Sequence, residues 1–98
     1  MAFSRGSVLV CIDDNPLSGA AQLDRWLQST GASDAATAMF MGRVRAEAMD
    51  GRPLEALELT HYPGLCEHLI EMSALQLLER HGGRCALVQH RVGRMLPG

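Results

Sequence analysis

Apolar and polar positions change rhythm several times along the chain, and each change marks an element. Residues 7–13 (SVLVCID) form a short, nearly unbroken run of β-branched and apolar side chains, the pattern of a buried strand. Asn15-Pro16 then reads as a helix start, because Asn caps and Pro fits the first helical position. Leu17, Ala20, Leu23, Trp26 and Leu27 follow at helical spacing, and Gly31 is the expected stop. Residues 30–34 form a polar connection. Residues 36–44 (ATAMFMGRV) read as a second strand, although Ala and Met also suit a helix.

Residues 45–53 form a loop with Asp50-Gly51 as its turn signal. Residues 54–61 (LEALELTH) alternate, which places Glu55, Leu57, Leu59 and His61 on one strand face. Pro63 opens the longest helix, to about Arg80, with Leu65, Leu69 and Met72 in one row and Cys66, Ile70, Ala74 and Leu78 widening the apolar face. Gly82-Gly83 ends it. Residues 85–92 (CALVQHRV) form a fourth strand, and residues 93–98 a turn. The order β-α-β-β-α-β indicates an α+β fold, a two-layer sandwich of the split-βαβ kind. Its exposed strand edges favour dimerisation.

Composition narrows the function classes. With 98 residues, 47% of them hydrophobic and 20% charged, the chain is long enough for one domain, residues 1–98, and too apolar for disorder. A net charge of -2 argues against a nucleic-acid binder, which needs an excess of positive charge. All nine basic residues are Arg, so no lysine nucleophile or Schiff base can arise within these residues. Cys11, Cys66 and Cys85 lack metal-site or disulfide-framework spacing, which fits a reducing cytoplasm. No apolar run is long enough to span a membrane, and no cofactor or metal motif stands out.

Three segments could carry chemistry. In Gly42-Arg43-Val44-Arg45, alternation sends Arg43 and Arg45 to the same side, and guanidinium forks suit phosphate or carboxylate. Arg52 either completes that anion site or solvates its loop. His61-Tyr62-Pro63-Gly64, at a strand-to-helix junction, is either a ligand site at a helix N-terminus or a turn whose His and Tyr pack and cap. In His90-Arg91-Val92-Gly93-Arg94, consecutive strand residues face opposite ways, so His90 and Arg91 cannot share one pocket. A packed or edge histidine beside a surface arginine is the plainer reading.

Taken together, FMGRVRAEAMDGRPLEALELTHYPGL and HRVGRMLPG are more specific than any part. They resemble the catalytic (large) subunit family of molybdopterin synthase, the MoaE family, over roughly residues 35–98. The family's F-x-G-x-V-R motif is met by Phe40, Gly42, Val44 and Arg45. Its later L-x-x-E/T-H/A-Y-P segment is met by Leu57, Leu59, His61, Tyr62, Pro63 and Gly64, with Leu65 in place of the usual Met. Its H-R-x-G-x-x-x-P-G segment is met by His90, Arg91, Gly93, Pro97 and Gly98.

The resemblance implies an α/β-hammerhead-like fold with a small antiparallel subdomain. It implies molybdenum cofactor biosynthesis, in which two sulfur atoms pass to cyclic pyranopterin monophosphate to give molybdopterin. The sulfur donor is a MoaD-like, ubiquitin-fold small subunit with a C-terminal thiocarboxylate, and large subunits form a homodimer within a heterotetramer. Arg45 carries over as a residue for the substrate's anionic part, and Arg43 stands at a usually basic position. The resemblance places the catalytic groups beyond Gly98, so residues 1–98 are expected to cover the family's N-terminal two-thirds and to be inactive alone. A non-catalytic dimerisation or anion-binding α+β module is the alternative expectation.

Overall fold

The computed structural model describes residues 7–30 and 35–98. It contains β1 (Ser7–Asp13), α1 (Gly19–Thr30), β2 (Leu57–Leu59), α2 (Leu65–His81), β3 (Cys85–Arg91) and β4 (Gly93–Met95). The architecture is α+β, as the apolar pattern indicates. Its order, however, is β-α-β-α-β-β rather than β-α-β-β-α-β, and its strands lie in two two-stranded sheets rather than one.

The first sheet pairs β1 with β3 in parallel, from Ser7↔Cys85 to Asp13↔Arg91. Both strands are runs of Val, Leu, Ile, Ala and Cys, the composition of parallel strands flanked on two sides. Past the ladder, the Val92 N–H donates to the Asp13 carbonyl at 2.8 Å. Helix α2 packs on this sheet, mainly against β1. The second sheet pairs β2 with β4 antiparallel, Leu57↔Met95 to Leu59↔Gly93. Met95 is the only buried hydrophobic side chain among the described residues.

Four boundaries differ from the sequence expectation. Helix α1 begins at Gly19, not at Asn15-Pro16. Ser18 is its cap instead: its carbonyl accepts the Gln22 N–H at 3.0 Å and its Oγ the Ala21 N–H at 3.4 Å. Asn15 belongs to a turn in which its N–H donates to Asp13 Oδ1 at 2.9 Å. The expected stop at Gly31 lies outside the described residues.

Residues 36–44 do not form a strand. The alternation is genuine, since Met39 and Met41 both lie against Gly19, but no neighbouring strand completes a ladder, and residues 36–43 are exposed. Residues 54–61 supply only the three residues of β2. Leu54 and Ala56 are half-buried, then Leu59 and His61, so the alternation slips by one residue between them. The expected C-terminal turn contains β4, which begins at Gly93 with φ 88°, a left-handed conformation that Gly tolerates.

Candidate functional site

Residues 46–54 close into a tight hairpin that leads away from the Gly42–Arg45 motif. The Leu54 N–H donates to Ala46 O at 2.8 Å, Ala48 N–H to Arg52 O at 2.9 Å, and Gly51 N–H to Ala48 O at 3.0 Å. Asp50-Gly51 is the turn, with Gly51 at φ 84°. Arg52 is not free for an anion: its Nε donates to Asp50 Oδ2 at 2.6 Å, and its N–H to Asp50 Oδ1 at 3.2 Å.

The motif itself borders a cleft of about 620 Å³. One wall is a face of α1, Gly19, Gln22, Leu23 and Trp26, spaced as a single helical stripe. A second wall is the extended segment 37–44. The third is β3, where Cys85, Leu87, Gln89 and Arg91 recur every second residue, with Met95 and Gly98 closing one end. The Gly98 N–H donates to Val44 O at 2.9 Å and ties that end to the motif. The volume is within the usual range for a small-molecule site, and the lining is mainly apolar with a few polar groups.

The charge of the lining is one-sided. Its ionisable side chains among the described residues include Arg43 and Arg91 and no carboxylate. Arg43 and Arg45 are both exposed, but only Arg43 lines the cleft; Arg45 stands outside its walls. Within the His-Arg pair the strand sends one residue to each side. His90 is exposed, with Nδ1 2.8 Å from Arg91 O, whereas Arg91 is half-buried and its Nε is enclosed with no hydrogen-bond partner among the described residues. His90 is thus the edge histidine of the plain expectation, but the arginine beside it is half-buried rather than at the surface. Gln89 and Arg91 were legible in principle, because they share parity with the apolar Cys85 and Leu87.

The other two groups have structural roles. At the α2 N-terminus, the Glu67 carboxylate accepts the Gly64 N–H and lies 3.3 Å from His61 Nε2. A carboxylate already occupies the helix end, so it offers no site for an anion. Tyr62 is exposed, and its carbonyl accepts the Cys66 N–H at 3.1 Å. None of the three cysteines is in a disulfide, and among the described residues no group of three or more His, Cys, Asp or Glu could hold a metal. No helix among them is long and apolar enough to cross a membrane.

Sequence comparison adds an independent finding. The model of the family described as MoaE protein matches residues 12–98. A molybdopterin synthase catalytic subunit of Rhizobium meliloti is 46% identical over 63 residues, 64% of this chain and 39% of its own length. One of Brucella melitensis is 39% identical over 79 residues, 81% of this chain and 46% of its own length. One of Ralstonia nicotianae is 39% identical over 62 residues, 63% and 35% respectively. The chain thus spans less than half the length of the relatives it matches. No solved structure matches it at the same stringency.

Proposed function

The chain belongs to the MoaE family, and from that membership we propose that it serves molybdenum cofactor biosynthesis as large-subunit sequence of a molybdopterin synthase. The proposed reaction transfers sulfur from a thiocarboxylated, ubiquitin-fold small subunit to cyclic pyranopterin monophosphate. The protein would act in the cytoplasm, as a homodimer that carries a small subunit on each copy. The observation that carries this reading is the family match across residues 12–98, supported by relatives named as catalytic subunits of that enzyme.

Within this reading the chain's own contribution is substrate binding. Arg45 and Arg43 neutralise the anionic part of the pterin, since a guanidinium offers two parallel N–H donors to an oxyanion and stays charged at any working pH. The apolar walls of the cleft, Met39 and Met41 among them, would shield a molecule bound beside Arg43 and strengthen its attraction to that guanidinium, while Arg45 would reach the anion from outside the walls. With no lysine in the sequence, residues 1–98 alone are expected to bind the pterin without sulfur transfer.

Calorimetry with cyclic pyranopterin monophosphate tests the binding role. Arg45→Ala should weaken binding about tenfold or more, the loss of one charge-assisted contact. Undiminished binding by that variant would show that the anion sits elsewhere. A synthase assay with the thiocarboxylated small subunit tests the other half: normal turnover by residues 1–98 would refute the division of labour.

A further inference from the structure

We propose that Arg91 is an anion-binding residue, and that with Gln89 and Arg43 it forms an oxyanion subsite inside the cleft, suited to a phosphate group on a small molecule. The strand commits its side chain to this place. Cys85, Leu87, Gln89 and Arg91 alternate along one face of β3 and line the cleft together with Ala86, while Val88 and His90 are excluded from it.

The bonding state then indicates what belongs there. Arg91 Nε is enclosed and has no acceptor among the described residues. An enclosed N–H of a charged group without an acceptor is costly, and more so in apolar surroundings. No Asp or Glu side chain lines the cleft. Asp13, the residue paired with Arg91 in the β1–β3 register, is exposed and uses Oδ1 to accept the Asn15 N–H at 2.9 Å. An oxyanion from outside is the complement that the cleft lacks: it would accept from the terminal nitrogens of the Arg91 guanidinium and from the Gln89 amide. Arg43, on the second wall, adds a second positive charge, which favours a phosphate over a singly charged carboxylate.

Only the natural ligand's identity rests on the function proposed above; the subsite rests on the cleft. The test therefore uses inorganic phosphate and the uniformly ¹⁵N-labelled chain at constant ionic strength. The Arg91 Nε–H resonance should shift saturably on titration. Arg91→Lys, which keeps the charge but loses the fork, should weaken phosphate binding about tenfold. Arg94→Ala, at an exposed residue that pairs with Glu55 at 3.6 Å, should leave it unchanged.

An Arg91 resonance that stays fixed while phosphate binds, or no saturable binding at all, overturns the proposal. So does Arg91→Lys binding as well as the parent. If Arg91→Lys fails to fold by circular dichroism, the wild-type resonance and Arg43→Ala, at an exposed position, decide in the same terms. Pterin binding measured in parallel separates the two readings. Pterin binding together with an Arg91 resonance that phosphate leaves unmoved sinks the subsite and spares the function. Phosphate binding at Arg91 without pterin binding does the reverse.

Discussion

Gly82 carries a fixed local demand. It follows α2 at φ 67°, and its N–H donates to the Leu78 carbonyl, so the helix ends in the left-handed turn that glycine adopts at no steric cost. Gly82→Ala should cost about 1 kcal/mol, which for a chain of this size is a fall of roughly 4–8 °C in Tm; a thermal melt by circular dichroism reads it directly. Space is not the obstacle, because an added Cβ there meets nothing within 4 Å. Glu67 makes the corresponding demand at the other end of the helix. Glu67→Ala removes the acceptor of the Gly64 N–H and the partner of His61, and should lower stability by about 1 kcal/mol in urea unfolding.

The elements differ in how much of each could be read from the sequence. Strand β1 occupies residues 7–13 as the apolar run indicates, because an unbroken run of β-branched and apolar residues marks a parallel strand with a helix packed on it. Helix α2 is equally plain, with a Pro-Gly entry and a Gly-Gly exit around seventeen residues. Besides the α1 start and the shortened β2, the failures are at residues 36–44 and 93–95, where a strand depends on a partner far along the chain and no local pattern reports whether one arrives. The site follows the same division. Arg43 was visible as part of a motif, whereas Arg91 became a cleft residue only through the parity of β3. The two ladders should also differ in persistence. Seven-residue β1 and β3 carry α2 upon them, whereas β2 and β4 pair over three residues. Backbone amides of residues 8–12 and 86–90 should exchange with deuterium at least tenfold more slowly than those of residues 57–59, measured by mass spectrometry or NMR.

As a whole the molecule exposes a surface of 7533 Å², against about 5,500 Å² expected for a folded monomer of this mass. Its radius of gyration, 15.4 Å, likewise exceeds the roughly 12.6 Å typical of this length. Leu65, Leu69, Met72 and Leu77 of α2 are each about half exposed, as is Leu27 of α1. Apolar surface on this scale calls for burial against further protein, be it the rest of a longer chain, a small subunit or a second copy. Sedimentation velocity should show species heavier than the monomer that grow with concentration over the micromolar range. A single monomer boundary at 100 µM, taken as roughly the upper end of that range, would count against self-association.

The pairing of β1 with β3 also sets a timetable. Ser7 meets Cys85, so the central ladder joins positions seventy-eight residues apart, and closing such a loop costs about 4 kcal/mol of chain entropy before the first contact repays it. Folding should accordingly be slow for so short a chain. During synthesis β1 has no partner in its sheet until residues 85–91 emerge from the ribosome, and until then the amino-terminal strand presents an open edge to whatever meets it first.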